Sequence, residues 1–348
     1  MAFISNTSTS ALTIVWRSLG PFTRNGVYYA DDLRFQYSFS DHNVNAATYA
    51  SRDFGSSWTP SGSFSYVFFP ALSSSGQYML VSQNGDGIVR ISNDFGSSWR
   101  DYRWSYWWTA GTVCAVSLTG QYMAFGGTDY GSSLKQGPFY FSSDYGVTWS
   151  QRSNAPRMGW ARLMISPSGS KLFAEGWFGN PNVRAVYLSA NYGVDWEFVT
   201  GIPQVSPAAF GSFAYSFSPS NELSALYVYT IQSGSPALLR STNFGTSWSN
   251  ILLPAVFLGI TSSNTGQLVA GFTAASIYVS VDYGYSLVLT FNVTGCTNIV
   301  AAGDPQVSYL HYLALCSGSM YAGNLTCKAQ PDGATKNSDA SCLTRSEI

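Results

Sequence analysis

The sequence predicts an all-β fold made of short strands, and two observations support this prediction. Short apolar segments with alternating polarity run through the chain, separated by Gly, Ser and Asn, whereas helical periodicity appears nowhere at useful length. In addition, one eight-residue phrase recurs six times, with start-to-start spacings of 41, 50, 47, 52 and 39 residues. A period of this size fits a unit of four strands better than a helical repeat. The 348 residues are therefore expected to form a repetitive β structure.

The recurring phrase follows the pattern S-x-[DN]-[FY]-G-x-x-W, which predicts a strand, a tight turn and a second strand. Ser opens the turn, Asp or Asn can hydrogen-bond the backbone, and Gly supplies a conformation that other residues resist. The aromatic residues on either side of Gly are expected to pack the hairpin onto its own sheet. The phrases are SRDFGSSW (51–58), SNDFGSSW (92–99), SSDYGVTW (142–149), SANYGVDW (189–196), STNFGTSW (241–248) and SVDYGYSL (280–287).

Six phrases do not limit the number of sheets to six. After residue 295, three further apolar strands follow without a phrase, while the segment ALTIVWRSL (11–19) stands alone before the first repeat. If this segment pairs beside the strand that ends at Cys327, the ring closes and exposed sheet edges are avoided. The sequence thus predicts a seven-bladed β-propeller over residues 1–327, closed by the N-terminal strand and followed by a polar tail at 328–348.

The phrase resembles the Asp box, or BNR repeat, of sialidases, sortilin-type receptors, the photosystem II assembly propeller and several glycoside hydrolases. In those families the box turn joins the third and fourth strands of a blade, on the face opposite most active sites. The resemblance covers the chain from about 37 to 290 and implies structural roles for the box acids and amides. These residues are Asp53, Asp94, Asp144, Asn191, Asn243 and Asp282.

Composition and charge narrow the classes of function. Seventeen basic and eighteen acidic side chains leave a net charge of −1, which gives no electrostatic footprint for nucleic acid. No apolar run approaches the roughly 18 residues of a membrane span. The two histidines, His42 and His311, lie far apart and near no cysteine pair, and no nucleotide-binding glycine motif occurs. We therefore expect no nucleic-acid partner, no membrane span, no metal and no cofactor.

An aromatic segment between the second and third repeats is the strongest candidate for a binding surface. In RDYRWSYWWTAG (100–111) successive side chains of an extended chain alternate between faces, so its indoles cannot all point into the core. Aromatic faces suit sugar rings, and Trp and Arg also anchor protein interfaces. Packing of these tryptophans between blades is the competing interpretation. The predicted ligand-binding residues are Arg103, Trp104, Trp107, Trp108, Arg157, Trp160 and Trp177.

The sequence offers few residues for hydrolysis. Glycosidases generally use two carboxyl groups, and sialidases pair a tyrosine with a glutamate and grip the substrate with three arginines. Of the four glutamates only Glu175 is expected at a loop mouth, and the Arg-Ile-Pro motif of sialidases has no counterpart near Arg24. A noncatalytic recognition or assembly propeller that binds a glycan or a protein is therefore favoured. The alternative is a sialidase-like glycoside hydrolase with an atypical catalytic set.

Cysteines and glycosylation motifs point to an extracellular or surface protein, and the sequence leaves a cytoplasmic one open. Four of the five cysteines lie in the last 53 residues, and among several geometrically possible disulfides Cys327–Cys342 is preferred. Asn-x-Ser/Thr sequons begin at Asn6, Asn292 and Asn324. The composition is also similar to that of Asp-box proteins of large DNA viruses and protists. A virion component, as part of a larger assembly, is implied by this resemblance in composition.

Overall fold

A computed structural model describes most of the chain between residues 12 and 327. The described ranges are 12–21, 26–29, 34–39, 46–64, 67–83, 87–104, 112–128, 136–178, 183–200, 202, 210–216, 225–232, 235–263, 266–301, 312–317 and 319–327. Within these ranges the chain forms strands and turns and no helix, which confirms the all-β class. Nothing in this part of the chain is a helix long and apolar enough to cross a bilayer. The predicted tail at 328–348 lies outside the described residues.

The strands are short and antiparallel throughout. In chain order the described residues form β1 (Leu12–Pro21), β2 (Gly26–Tyr29), β3 (Gln36–Phe39), β4 (Ala46–Ser51), β5 (Thr59–Phe64), β6 (Val67–Leu72), β7 (Met79–Gln83), β8 (Ile88–Ser92), β9 (Arg100–Arg103), β10 (Val113–Val116), β11 (Met123–Gly126), β12 (Phe139–Ser142), β13 (Ser150–Gln151), β14 (Gly159–Ile165), β15 (Leu172–Phe178), β16 (Val183–Ser189), β17 (Glu197–Phe198), β18 (Phe210–Ser216), β19 (Ala225–Gln232), β20 (Ser235–Ser241), β21 (Ser249–Leu252), β22 (Gly259–Ser262), β23 (Val269–Phe272), β24 (Ser276–Ser280), β25 (Val288–Asn292), β26 (Cys296–Ala301), β27 (Tyr312–Cys316) and β28 (Ser319–Cys327).

Strands β2 to β25 form six sheets of four consecutive strands, and we call each of these sheets a blade. Blades 1 to 6 are β2–β5, β6–β9, β10–β13, β14–β17, β18–β21 and β22–β25. In every blade the repeated hairpin joins the third strand to the fourth, as it does between β8 and β9. All six hairpins therefore lie at the same end of their blades, which we call the hairpin face.

The two ends of the chain meet in one further sheet, with strand order β1-β28-β27-β26, which we call the closing sheet. Its first pair runs from Leu12 opposite Cys327 to Pro21 opposite Ser319, which confirms the expected pairing of the N-terminal segment. The prediction of a seven-bladed propeller with Asp-box hairpins is wrong in its blade count, and six blades of the repeat type replace it. The seventh sheet is of a different kind, because it combines both chain termini and carries no hairpin of the repeat.

Hydrogen bonds within each hairpin explain why the phrase recurs. In blade 2, Gly96 donates its backbone N–H to Ser92 Oγ at 2.9 Å, and Ser92 Oγ donates to Asp94 Oδ1 at 2.8 Å. The backbone N–H of Ser98 also donates to Asp94 Oδ1, and Trp99 Nε1 donates to the Gly96 carbonyl. The bond from the Gly N–H to the Ser hydroxyl recurs in the other five hairpins. The Ser, Asp and Trp positions of the phrase thus satisfy the polar groups of a tight turn.

In three of the hairpins the pKa of the Asp carboxyl group is lowered. Slight burial opposes ionisation of Asp94, but hydrogen bonds from the serines around it hold its pKa below the ordinary value of 3.8. The same balance lowers the pKa of Asp53 and Asp144. Asn occupies the equivalent position in two hairpins, at residues 191 and 243, where its Oδ1 accepts the same backbone bond. The charge is therefore dispensable, and the acceptor oxygen is what the turn requires.

Two consecutive residues of each hairpin adopt left-handed backbone conformations. The Gly was expected to do so, and Gly96 has φ of 77°. The aromatic residue before it does the same, since Phe95 has φ of 60°, and the other five aromatic residues lie between 53° and 62°. This conformation is uncommon for residues with a Cβ atom and costs free energy. The surrounding contacts must therefore compensate for it.

Those contacts come from the preceding blade. A Cβ atom on Gly96 would lie 2.5 Å from Cε2 of Tyr37, so the hairpin of blade 2 lies directly against the core of blade 1. The rings of Phe95 and Phe35 pack with centroids 5.5 Å apart. Ser61 at the outer strand of blade 1 donates its hydroxyl to the Gly96 carbonyl at 3.0 Å. Each blade therefore supports the strained turn of the next one.

A second turn, between the first and second strands of a blade, also packs against the preceding blade. In blade 3, Gly120 donates to the Ser117 carbonyl with φ of 82°, and a Cβ atom on it would lie 2.3 Å from Tyr78 of blade 2. Tyr78 also packs against Tyr145, the aromatic residue of the blade 3 hairpin, with centroids 4.7 Å apart. Tyr122 repeats both contacts one blade further on, with Gly169 and Tyr192. A ladder of aromatic contacts thus joins successive blades at the hairpin face.

The closing sheet carries a disulfide between Cys296 and Cys316, which face each other on β26 and β27. This pair was one of several that the sequence left open. The preferred pair, Cys327–Cys342, includes a residue outside the described part of the chain and stays a prediction. Cys114 is a free thiol in the core of blade 3, and its burial raises its pKa.

Large tyrosines are buried between blades. Tyr37, Tyr227 and Tyr312 are almost fully inaccessible, and burial raises the pKa of each phenol above its ordinary value of 10.0. Tyr312 of the closing sheet donates its hydroxyl to the carbonyl of Ser280 in the blade 6 hairpin at 3.2 Å. These phenols must stay neutral for the packing to persist.

We predict that Gly96→Val destabilises the protein by about 2–4 kcal/mol, because it combines a strained φ with a clash against Tyr37. The control Asp101→Ala removes an exposed ion pair with Arg90 and should cost under about 1 kcal/mol. Urea denaturation of the two variants measures both values. Equal midpoints for the two variants would contradict this account of the turn.

Stability should also fall at high pH. Because the folded pKa of the buried tyrosines lies above the unfolded value, their contribution is complete below about pH 10 and is lost as the pH rises through the folded values. The free energy of unfolding, measured in urea between pH 8 and 12, should decline above pH 10, and Tyr312→Phe should make that decline shallower. A flat profile up to pH 12 would show that these phenols ionise freely in the folded state.

Candidate functional site

The predicted binding residues that the structure describes lie on the face opposite the hairpins. Arg103 ends β9 opposite Ile88, and Trp104 follows it, with its backbone N–H donating to the Gly87 carbonyl at 3.0 Å. Arg157 lies just before β14, and Trp177 lies near the end of β15. These positions bring together strand ends of blades 2 and 4 around blade 3. Trp107 and Trp108 lie outside the described residues.

Trp104 is half buried and lies flat against blade 3. A Cβ atom on Gly127 would lie 2.2 Å from its Cη2 atom, so the indole occupies the space that this glycine leaves. Its ring also packs near Phe125 and Tyr140, with centroids 6.0 and 6.2 Å apart. Among the described residues its buried Nε1 has no hydrogen-bond partner. Trp104 is therefore held in place by packing against blade 3.

Trp160, one of the predicted ligand-binding residues, is a core residue. It is 3% exposed, its ring stacks on Phe139, and its Nε1 donates to the Gly137 carbonyl at 3.0 Å. A Cβ atom on Gly126 would lie 2.3 Å from the indole. The competing interpretation, packing between blades, applies to this tryptophan. Gly126 and Gly127 thus each receive an indole, one from blade 4 and one from blade 2.

The remaining predicted residues are accessible to different degrees. Arg103 and Arg157 are exposed, and Trp177 is partly exposed. Gly137 joins blades 3 and 4 here, because its N–H donates to the Met158 carbonyl at 3.1 Å. The described part of this face therefore combines two exposed guanidinium groups with two partly exposed indoles, on a backbone that glycines and interblade bonds hold in place.

Glu175, the glutamate that the sequence assigned to a loop mouth, lies in the core instead. It is fully buried on β15, and its Oε2 lies 3.5 Å from Nε of Arg162 on β14. A carboxyl group that is buried in this way has no access to a substrate. Among the described residues no group of three or more His, Cys, Asp or Glu side chains could hold a metal ion.

The six box residues lie far from this surface. Asp53, Asp94, Asp144, Asn191, Asn243 and Asp282 all accept backbone bonds within hairpins on the hairpin face. Sequence reasoning missed Gly126, Gly127 and Gly137, which position the tryptophans. A signal was available, because glycines inside an otherwise apolar strand indicate a close approach of another group.

We predict that Gly127→Ala lowers stability by about 1–3 kcal/mol, because the new methyl group overlaps the Trp104 ring. In the double variant with Trp104→Ala this cost should disappear, since the ring that opposes the methyl group is gone. A double-mutant cycle of urea denaturation measures the coupling between the two positions. Additive effects would show that Trp104 does not rest on Gly127.

Comparisons with known proteins show the fold and no family. The sequence matches no protein-family profile and no curated protein. Solved structures with similar folds include the Cps50 (Swd1) propeller domain of Myceliophteria thermophila, with 13% identity over 94% of this chain and 100% of that one, at a TM-score of 0.58. A second is YCF48 bound to D1 peptide, with 15% identity over 92% and 97%, at a TM-score of 0.54.

A third similar structure is the GH74 xyloglucanase of Xanthomonas campestris, with 14% identity and a TM-score of 0.54. The match covers 86% of this chain, which spans only 59% of the length of the xyloglucanase. These neighbours include a propeller with a bound peptide and a xyloglucanase. At such identities they establish that this chain is a β-propeller and leave its activity undetermined.

Proposed function

We propose that the protein is a noncatalytic recognition or assembly propeller that binds a polypeptide on the face opposite the hairpins. The observation that carries this proposal is the arrangement of Arg103, Trp104, Arg157 and Trp177 at the strand ends around blade 3. Arg and Trp are the residues that most often anchor protein interfaces. In this proposal residues 1–327 form the propeller and the tail at 328–348 is an extension outside it.

The state of Glu175 supports binding over hydrolysis. A retaining or inverting glycosidase needs two carboxyl groups that reach the scissile bond. Glu175 was the one glutamate that the sequence offered for this task, and it is buried and ion-paired with Arg162. The glycoside hydrolase therefore becomes the second candidate, supported by a shared fold alone.

Exposed aliphatic side chains on the same face support a protein partner over a glycan. The connection between blades 5 and 6 carries Leu252, Val256 and Leu258, which are 81%, 55% and 58% exposed. Leu252 ends β21, and the Leu258 N–H donates to the carbonyl of Phe272 at the end of β23, so these residues lie opposite the hairpins. Sugars have little to gain from branched aliphatic groups, whereas protein interfaces bury them. The YCF48 structure contains a bound peptide, and it shares this fold.

The proposal is tested with a displayed library of random peptides and a glycan array, each probed with the purified full chain. We expect selected peptides to bind, and Arg103→Ala with Arg157→Ala to weaken that binding at least about tenfold, the equivalent of 1.4 kcal/mol. Arg34→Ala, at an exposed arginine on the hairpin face, is the matched control and should bind like the wild type. Circular dichroism of each variant checks the fold.

Three outcomes would contradict the proposal. Equal loss of binding in the Arg34 control would move the site away from this face. Hydrolysis would establish the second candidate instead. It would be seen as reducing ends released from xyloglucan, or as fluorescence released from a fluorogenic sialoside, at a rate that substitution of one carboxylate abolishes. Binding to glycans alone would retain the recognition function and replace its partner class.

A further inference from the structure

We propose that Asn292 is an N-glycosylation site, which receives an oligosaccharide from a lipid-linked diphosphate donor. The proposal begins from the sequon Asn292-Val293-Thr294, in which no proline intervenes. Such tripeptides are common by chance, so the motif alone carries no weight. Its place in the fold and a neighbouring disulfide supply two further observations.

The sequon lies at an accessible edge of the molecule. Asn292 is the last residue of β25, the outer strand of blade 6, and both Asn292 and Thr294 are exposed. Ser276 donates its hydroxyl to the Asn292 amide oxygen at 3.1 Å, which engages Oδ1 and not the nitrogen that would carry the sugar. A glycan on Nδ2 thus displaces no core side chain and leaves this bond intact.

Backbone hydrogen bonds hold the sequon in this position. The Val293 N–H donates to the Ala275 carbonyl at 3.0 Å, and Ser317 Oγ donates to the Thr294 carbonyl at 2.7 Å. The chain therefore leaves β25 on a defined path and keeps Asn292 at the end of an edge strand. A bulky hydrophilic group there would also block edge-to-edge pairing of sheets, which natural β proteins must prevent.

The disulfide gives independent support for the compartment in which such transfer occurs. Cys296, four residues after Asn292, is joined to Cys316 across β26 and β27. Disulfides form and persist in oxidising compartments such as the lumen of the endoplasmic reticulum and are rare in the cytosol. Chains that pass through that lumen meet the enzyme that glycosylates sequons. The sequon and the disulfide therefore both indicate that the chain passes through the lumen of the endoplasmic reticulum.

The transfer step balances without an oxidant or reductant. Nδ2 of Asn292 attacks the anomeric carbon of the donor sugar, and a C–N bond forms as the bond from that carbon to the diphosphate oxygen breaks. The lipid diphosphate leaves with the electron pair, and the amide loses one proton to a base of the transferase. The Thr294 hydroxyl is the group by which sequons are recognised, so its exposure is as necessary as that of Asn292.

The test is secretion of the full chain from a eukaryotic cell behind a cleavable leader, followed by peptide mass spectrometry with and without peptide:N-glycosidase. We expect a glycan on the peptide that contains Asn292, lost in Asn292→Gln and in Thr294→Ala but kept in Thr294→Ser. Asn324→Gln, at a second sequon on β28, is the control and should leave the Asn292 glycan in place. Thermal melting shows whether each variant is folded.

Formation of the Cys296–Cys316 disulfide in the same sample shows that the chain has passed through an oxidising compartment. An unmodified Asn292 in secreted protein whose disulfide has formed would overturn the proposal, because the chain would have met the transferase without being modified. A glycan that persists in Asn292→Gln at this peptide would also overturn it. Asn292 lies at the same end of its blade as the peptide-binding face, but neither result measures peptide binding, so this proposal and the proposed function fail separately.

Discussion

The docking of each hairpin on the preceding blade is the constraint on which the rest of the structure depends. The hairpin places an aromatic residue, beside a Gly, in a left-handed conformation that residues with a Cβ atom avoid. Packing against Tyr37 in one blade, or against Tyr78 in the next, offsets that strain. Because blades 2 to 5 each give and receive such a contact, the stability of one blade depends on its neighbours.

The hairpins occupy one face of the blades, and the opposite face is the one that we propose for recognition of a partner. The hairpin face is occupied by turns in which the carboxylates accept from hydroxyl and backbone N–H groups, and the indoles donate to backbone carbonyls. At the other ends of the strands, Arg103 and Arg157 are exposed beside tryptophans that rest on glycines, and aliphatic side chains protrude between blades 5 and 6. Only 10% of the residues are charged, and in the proposed function these exposed arginines and apolar groups supply the specific contacts.

Much of the fold could be predicted from the sequence, and much less of the site. Fixed offsets of Ser, Asp or Asn, Gly and Trp predicted the hairpins, and a missing strand predicted the pairing of β1 with β28. Alternation along a strand also assigns side chains to its two faces, but it does not tell whether a neighbouring blade covers the strand end. For that reason Glu175 and Trp160 were assigned to the surface and are buried. The left-handed aromatic residue was missed because only the contact with another blade compensates for its strain.

The coupling between Tyr78 of blade 2 and Tyr145 of the blade 3 hairpin, measured by a double-mutant cycle, tests this account most directly. Their ring centroids lie 4.7 Å apart, so both single alanine variants remove the same contact. The account predicts a coupling free energy of about 0.5–1.5 kcal/mol in urea denaturation, the range measured for aromatic pairs. Additivity of the two single effects within about 0.3 kcal/mol would contradict it, because the hairpin would then gain no stability from the blade before it.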